Sequence, residues 1–269
     1  MAGGGLAVPT PGSTVALATA LAALTLFYLG GMYLNDACDA IIDARERTDR
    51  PIPRGEVSRR TVTQLAILML SLGAALLFAI SLPAGLAGLA LVATVVAYDL
   101  WHKRITWAPL LMGGCRLLTY VAAALALTVG VLGHESALLG WGALGLFCHV
   151  VGLTYAARQE AYDRLGAAWP LLVLAVPAVV GLAFVLASPE TSPLALGLWL
   201  GYLVWGGRCL LWLRRRASGD VPRAVVGLIA AISLYDATLM AALGAPVMAL
   251  LALLAFGATL ALQRLAAGT

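Results

Sequence analysis

Nine apolar stretches, each close to the length of a bilayer crossing, leave this chain few ways to fold. They run over roughly 13–34, 61–82, 84–100, 108–132, 137–157, 168–187, 193–213, 223–243 and 245–264. A helix needs about 20 mainly apolar residues to cross the hydrocarbon core. The composition agrees: only 11% of residues are charged, against about 25% in an ordinary soluble domain. Mean hydropathy is +0.94. The expected fold is all-α, a multi-span transmembrane helical bundle of about nine helices. No linker long enough to separate domains interrupts it, so residues 1–269 read as one integral-membrane domain. Residues 1–12 lack the basic start of a signal peptide, and the first apolar stretch reads as a retained span.

The loops test this division. Those after the first, third, fifth and seventh spans hold the basic residues: Arg45, Arg47, Arg50, Arg54, Arg59 and Arg60, then Lys103 and Arg104, then Arg158 and Arg164, then Arg214, Arg215, Arg216 and Arg223. The alternate connections hold no Lys or Arg. That asymmetry places the basic loops in the cytoplasm and the N-terminus outside. It also accounts for the formal net charge of +4 without nucleic acid, since no basic domain stands apart from the spans. The four cysteines form no CxxC pair and no Cys/His cluster, so they read as reduced thiols rather than a zinc site.

One stretch breaks the apolar pattern. Residues 35–55, NDACDAIIDARERTDRPIPRG, hold Asn35, Asp36, Asp39, Asp43, Glu46 and Asp49 among four arginines. Asn35, Asp39 and Asp43 are spaced i, i+4, i+8, which puts them on one face of a helix. Asp36, Asp39 and Asp43 give an overlapping stripe. Carboxylates this close together repel one another, and a divalent cation relieves the conflict. Mg²⁺ suits the set, because it takes one or two carboxylates, keeps waters and is completed by phosphate oxygens. Asn35 adds a neutral carbonyl ligand or orients a phosphate of the substrate. Residues 45–50 read as a solvated run, with Glu46 beside Arg47 and Asp49 beside Arg50.

NDxxDxxxD followed by RPIPxG resembles the first signature of the UbiA superfamily of intramembrane prenyltransferases. The matching residues are Asn35, Asp36, Asp39, Asp43, Arg50, Pro51, Ile52, Pro53 and Gly55. The segment YDLWHKRIT, from Tyr98 to Thr106, resembles the family's Tyr-x-x-x-x-Lys-Arg segment. The resemblance implies a UbiA-like fold and transfer of a prenyl group from a polyprenyl diphosphate to an aromatic or other lipophilic acceptor. It implies Mg²⁺ held by Asp39 and Asp43 with Asn35, and Lys103 and Arg104 on the leaving diphosphate. Arg50 and Arg158 would bind the same substrate. Asp99 reads either as a further ligand or as an i, i+4 partner of Lys103.

The chain departs from the family in three places. The second acidic motif, expected in TYAARQEAYDRLG, is reduced to Glu160 and Asp163, read as metal or diphosphate ligands. One span rather than two precedes the first motif. Arg116 lies deep in the fourth span, in MGGCRLLTY, a form similar to the less typical EboC-like subset, and it reads as facing a polar cavity and binding substrate. The altered second motif leaves an alternative open, a UbiA-like protein that binds or moves an isoprenoid lipid without chemistry. Asp236 is the other deep charge, read as an ion-pair partner of Arg116 or an acceptor-binding group. His149 reads as a packed, hydrogen-bonded histidine. Trp101, Trp107, Trp169, Trp205 and Trp212 read as an interfacial belt.

Overall fold

The computed structural model describes residues 13–127, 135–158, 172–188, 192–215 and 217–265. Among the described residues there are nine helices: α1 Ser13–Glu46, α2 Arg59–Ile80, α3 Leu82–Trp101, α4 Ala108–Leu127, α5 Glu135–Arg158, α6 Ala175–Ala187, α7 Pro193–Arg215, α8 Asp220–Ala242 and α9 Pro246–Leu265. Eight are long and apolar enough to span a membrane. The other, α6, has 13 residues and begins after an N-cap at Leu174; residues 168–171 of the expected 168–187 span lie outside the described residues. The largest difference from expectation is at the first helix. Its apolar part ends near residue 34, but the helix continues without a break through the whole acidic motif to Glu46. At 1.5 Å per residue its 34 residues extend about 50 Å, well beyond a hydrocarbon core of about 30 Å.

The helices form two compact groups, α1–α4 and α5–α9. In the first, small residues let the helices approach closely. Ala20, Ala23 and Phe27 of α1 share a core with Leu70, Ala74 and Leu77 of α2, Ala84, Ala87 and Leu91 of α3, and Ala122 and Ala126 of α4. The spacings are i, i+3, i+7 on α1 and i, i+4, i+7 on α2, the pattern of one helical face. Ser58 caps α2 by accepting from the Thr61 N–H at 3.0 Å. Ser81 caps α3 through the Ala84 N–H at 3.2 Å. Gly73 marks a close α1–α2 crossing: a Cβ there would meet Phe27 Cε1 at 2.8 Å and the Ala23 carbonyl oxygen at 3.0 Å. Gly73→Val is therefore expected to destabilise the α1–α2 pair by about 1–3 kcal/mol, read as a lower melting temperature of the purified protein. An unchanged melt would refute this close contact.

In the second group α8 is the enclosed helix and α9 the exposed one: 72% and 6% of their apolar windows are buried. Several of its buried polar groups are paired. His149 of α5 lies 2.9 Å from the Tyr202 hydroxyl of α7 and 2.8 Å from the Leu228 carbonyl of α8. A carbonyl only accepts, so His149 Nε2 carries the proton and Nδ1 accepts from Tyr202. The Tyr235 hydroxyl donates to the Gly142 carbonyl at 3.0 Å. His149 is thus the packed, hydrogen-bonded residue expected. Trp205 does more than mark an interface, because its indole N–H donates to the Gly227 carbonyl at 2.8 Å. Trp169 lies outside the described residues.

Candidate active site

The acidic motif is not one uniform stripe. The continuous helix turns its polar residues toward two sets of partners. Asn35 and Asp39, one turn apart, face the end of α3. The Asn35 amide donates to Asp99 Oδ1 at 3.2 Å, and Asp39 pairs with Lys103 Nζ at 2.8 Å. His102 Nε2 lies 3.8 Å from the same Asp39 oxygen, and its ring stacks on Tyr98 with centroids 5.0 Å apart. Asp36 and Asp43, seven residues apart, face Arg50 instead. One nitrogen of that guanidinium, Nη1, reaches Asp36 at 2.9 Å and Asp43 at 3.0 Å.

Arg50 reaches them because the RPIPRG segment folds into a hydrogen-bonded turn. Arg54 N–H donates to the Arg50 carbonyl at 3.0 Å, and Glu56 N–H to the Pro51 carbonyl at 3.0 Å. Gly55 takes the positive φ of 75° that ends this turn, a conformation glycine adopts without steric cost. From the far side of the turn, Arg59 Nε donates to the Ala37 carbonyl at 2.7 Å and ties the start of α2 to the motif. Arg50, expected within a solvated run, has an 18% exposed side chain. Asp43 and Asp99 are buried.

Three carboxylates, Asp36, Asp39 and Asp43, thus share two cationic partners, Arg50 and Lys103, while Asp99 accepts from the neutral Asn35 amide. Asp99 Oδ2 is buried without a hydrogen-bond partner. An unpaired buried acceptor costs roughly 1–3 kcal/mol, so the site has room for further positive charge. The hard oxygen donors fit Mg²⁺, which needs only one or two carboxylates from protein. Among the described residues, no three His, Cys, Asp or Glu side chains converge on a ready-made metal position. A metal here would therefore share its shell with water and phosphate oxygens.

Lys103 pairs with Asp39 rather than with its i+4 neighbour Asp99, which corrects that option from the sequence. Arg104 is exposed and has no described contact with the carboxylates. Arg116 sits half-buried in the middle of α4. Arg158 ends α5 in the second group, where Asp236 lies within α8. Glu160 and Asp163 lie outside the described residues. Three participants were underweighted in the sequence. Asp36 carries its signal in the seven-residue spacing to Asp43, Asp99 in its position four residues before Lys103, and His102 in its position next to Lys103.

A set of membrane-length helices with a paired acid–base site on a helical extension defines a multi-pass integral membrane protein with polar chemistry at the end of its spans. The chain belongs to the UbiA prenyltransferase family, whose model matches residues 1–168. It is 35% identical over 91 residues to protoheme IX farnesyltransferase of Macrococcus caseolyticus (strain JCSC5402), a match covering 33% of this chain and 30% of that protein. The chain thus matches under a third of that relative's length. The solved structure of a digeranylgeranylglyceryl phosphate synthase superposes with a TM-score of 0.54 over 86% of each chain at 15% identity. That likeness establishes the shared all-helical fold.

Proposed function

We propose that this chain transfers a prenyl group from a prenyl diphosphate to a lipophilic acceptor within the membrane. The observation that carries the reading is the convergence of Asn35, Asp36, Asp39, Asp43 and Asp99 with Lys103 and Arg50 at the end of the first span. Asp39 and Asp43, with Asn35, would hold Mg²⁺, and Glu160 and Asp163 are the proposed partners from the other acidic segment. Bound there, Mg²⁺ supplies positive charge against the leaving diphosphate. The basic loops favour a cytoplasmic position for the site and an outside N-terminus.

The residues divide the remaining work. Lys103 and Arg104 offer donors to the diphosphate, with Arg50 available once its carboxylates gain another counter-ion. The C–O bond of the prenyl diphosphate breaks, its electron pair leaves with the diphosphate, and C1 becomes an allylic cation. The apolar helices keep water from that cation. A nucleophilic atom of the acceptor then bonds to C1 and releases a proton. Arg116, within a span, would bind an anionic part of a substrate.

The test supplies farnesyl and geranylgeranyl diphosphates, isotopically labelled, to membranes with and without the chain, followed by lipid extraction and mass spectrometry. A labelled lipid that appears only with the chain supports transfer. Retention of the labelled diphosphate by the purified chain with no product would replace this reading with non-catalytic isoprenoid binding.

A further inference from the structure

The α7–α8 end carries a second polar cluster, which the proposed reaction does not use. Its centre is an aromatic wall. Trp205 and Trp212 meet edge to face with ring centroids 6.4 Å apart, and Trp205 packs edge-on against Phe256 of α9 at 5.2 Å. The wall is fixed in place. Trp205 is hydrogen-bonded to the Gly227 carbonyl, and a Cβ at Gly227 would meet Cys209 Sγ at 2.6 Å and Trp205 Nε1 at 3.5 Å.

Two guanidiniums from different helices converge on this wall. The Arg208 guanidinium carbon lies 4.9 Å from the Trp212 ring centre and 5.9 Å from that of Trp205. Arg223 approaches Trp212 at 5.6 Å. Cation–π attraction holds each cation but satisfies none of its N–H donors. The nearby acid pairs only loosely with Arg223. Asp220 is committed to Arg215 through two bonds of 2.7 Å and to the Ala217 N–H at 3.0 Å. Its distance to Arg223 is 3.7 Å. Among the described residues Arg208 has no carboxylate or carbonyl partner.

The surroundings identify what would complete it. Val204, Arg208 and Leu211 follow one another at i, i+4, i+7 on one face of α7. Val204 and Leu211 are 73% and 63% exposed, as suits side chains bathed in lipid. Arg208 therefore stands on an apolar, lipid-facing stripe, seven residues from the end of α7 at Arg215, a rise of about 10 Å. A forked cation at that depth reaches toward the headgroup layer, where phosphate provides the bidentate acceptor its geometry matches.

We infer that Arg208 and Arg223, presented on Trp212, form a binding site for the phosphate of an anionic phospholipid. Two neighbouring like charges held on one ring favour a lipid with net negative charge over a zwitterionic one.

The test uses the full chain, purified in neutral detergent, and native mass spectrometry with phosphatidylglycerol and phosphatidylcholine of identical acyl chains. Preferential retention of phosphatidylglycerol is expected. Arg208→Gln with Arg223→Gln should weaken it about 30-fold, while Arg214→Gln, which removes a charge away from the wall, should retain it. Equal retention of the two lipids overturns the proposal. So does an Arg214→Gln loss as large as that of the double variant, which would mean diffuse surface charge. Displacement of the lipid by inorganic diphosphate also overturns it, because the cluster would then serve a water-soluble anion. Should the double variant fail to fold, Arg208→Gln alone decides: about fivefold weaker retention is expected, and no change refutes the site.

Discussion

Replacing Asp39 and Asp43 together by alanine is expected to abolish Mg²⁺-dependent release of diphosphate from a prenyl diphosphate by membranes carrying the chain. A loss of about 10³-fold or more follows if the pair supplies the metal's protein ligands, since removing even one electrostatic stabiliser of a transition state costs about 10²–10³-fold. The two residues stand in different halves of the site. Asp39 faces Lys103 and Asp43 faces Arg50. Loss of Asp39 frees Lys103, and loss of Asp43 leaves Arg50 with Asp36 alone. Removal of Mg²⁺ by chelation should reproduce the loss in the unaltered protein, with recovery on adding Mg²⁺ back. Unchanged turnover in the double variant would sink the proposed metal site, because Asp36 and Asp99 alone would then be sufficient.

The second large effect is on stability. His149→Ala is expected to lower stability by about 3 kcal/mol, from a cavity in a closely packed interior and a Tyr202 hydroxyl left without its acceptor. His149 joins three helices, α5 to α7 through Tyr202 and to α8 through the Leu228 carbonyl. It is 1% exposed, so no water stands ready to replace the lost partner. Thermal melting of the purified protein should fall by about 6 °C or more. His149→Gln, which keeps a donor and an acceptor, should lose less. Equal melting of the alanine variant and the parent would show that the three helices are held by apolar packing alone.

The spans were legible because nothing else tolerates such long apolar runs. Helical spacing put the acids on α1, but not their division between partners on α3 and Arg50. What spacing left open was the third dimension. Asn35 meets Asp99 across 64 residues, a pairing that depends on how α1 lies against α3, which local periodicity does not encode. Arg50 was misread in part because its sequence neighbour Asp49 offered an easy local partner. The RPIPRG turn carries the guanidinium back to Asp36 and Asp43 instead. Trp205 shows the same limit in the other group: its place near a span end suggested a belt residue, and only the packing of α7 on α8 reveals its bond to Gly227. Glu160 and Asp163 remain readings from sequence.

The unbroken course of α1 from Ser13 to Glu46 makes the motif a handle on a rigid shaft. Its angular setting is dictated by the membrane-embedded turns below it. One residue added to the apolar half would rotate every acid by about 100°, swinging Asn35 and Asp39 away from α3 and Asp36 and Asp43 away from Arg50. Four added residues would bring the faces back to within about 40° while raising them by about 6 Å. Length changes in this span are thus filtered by phase rather than by hydrophobicity, and drift in the lipid-facing sequence is free only so long as the count is kept.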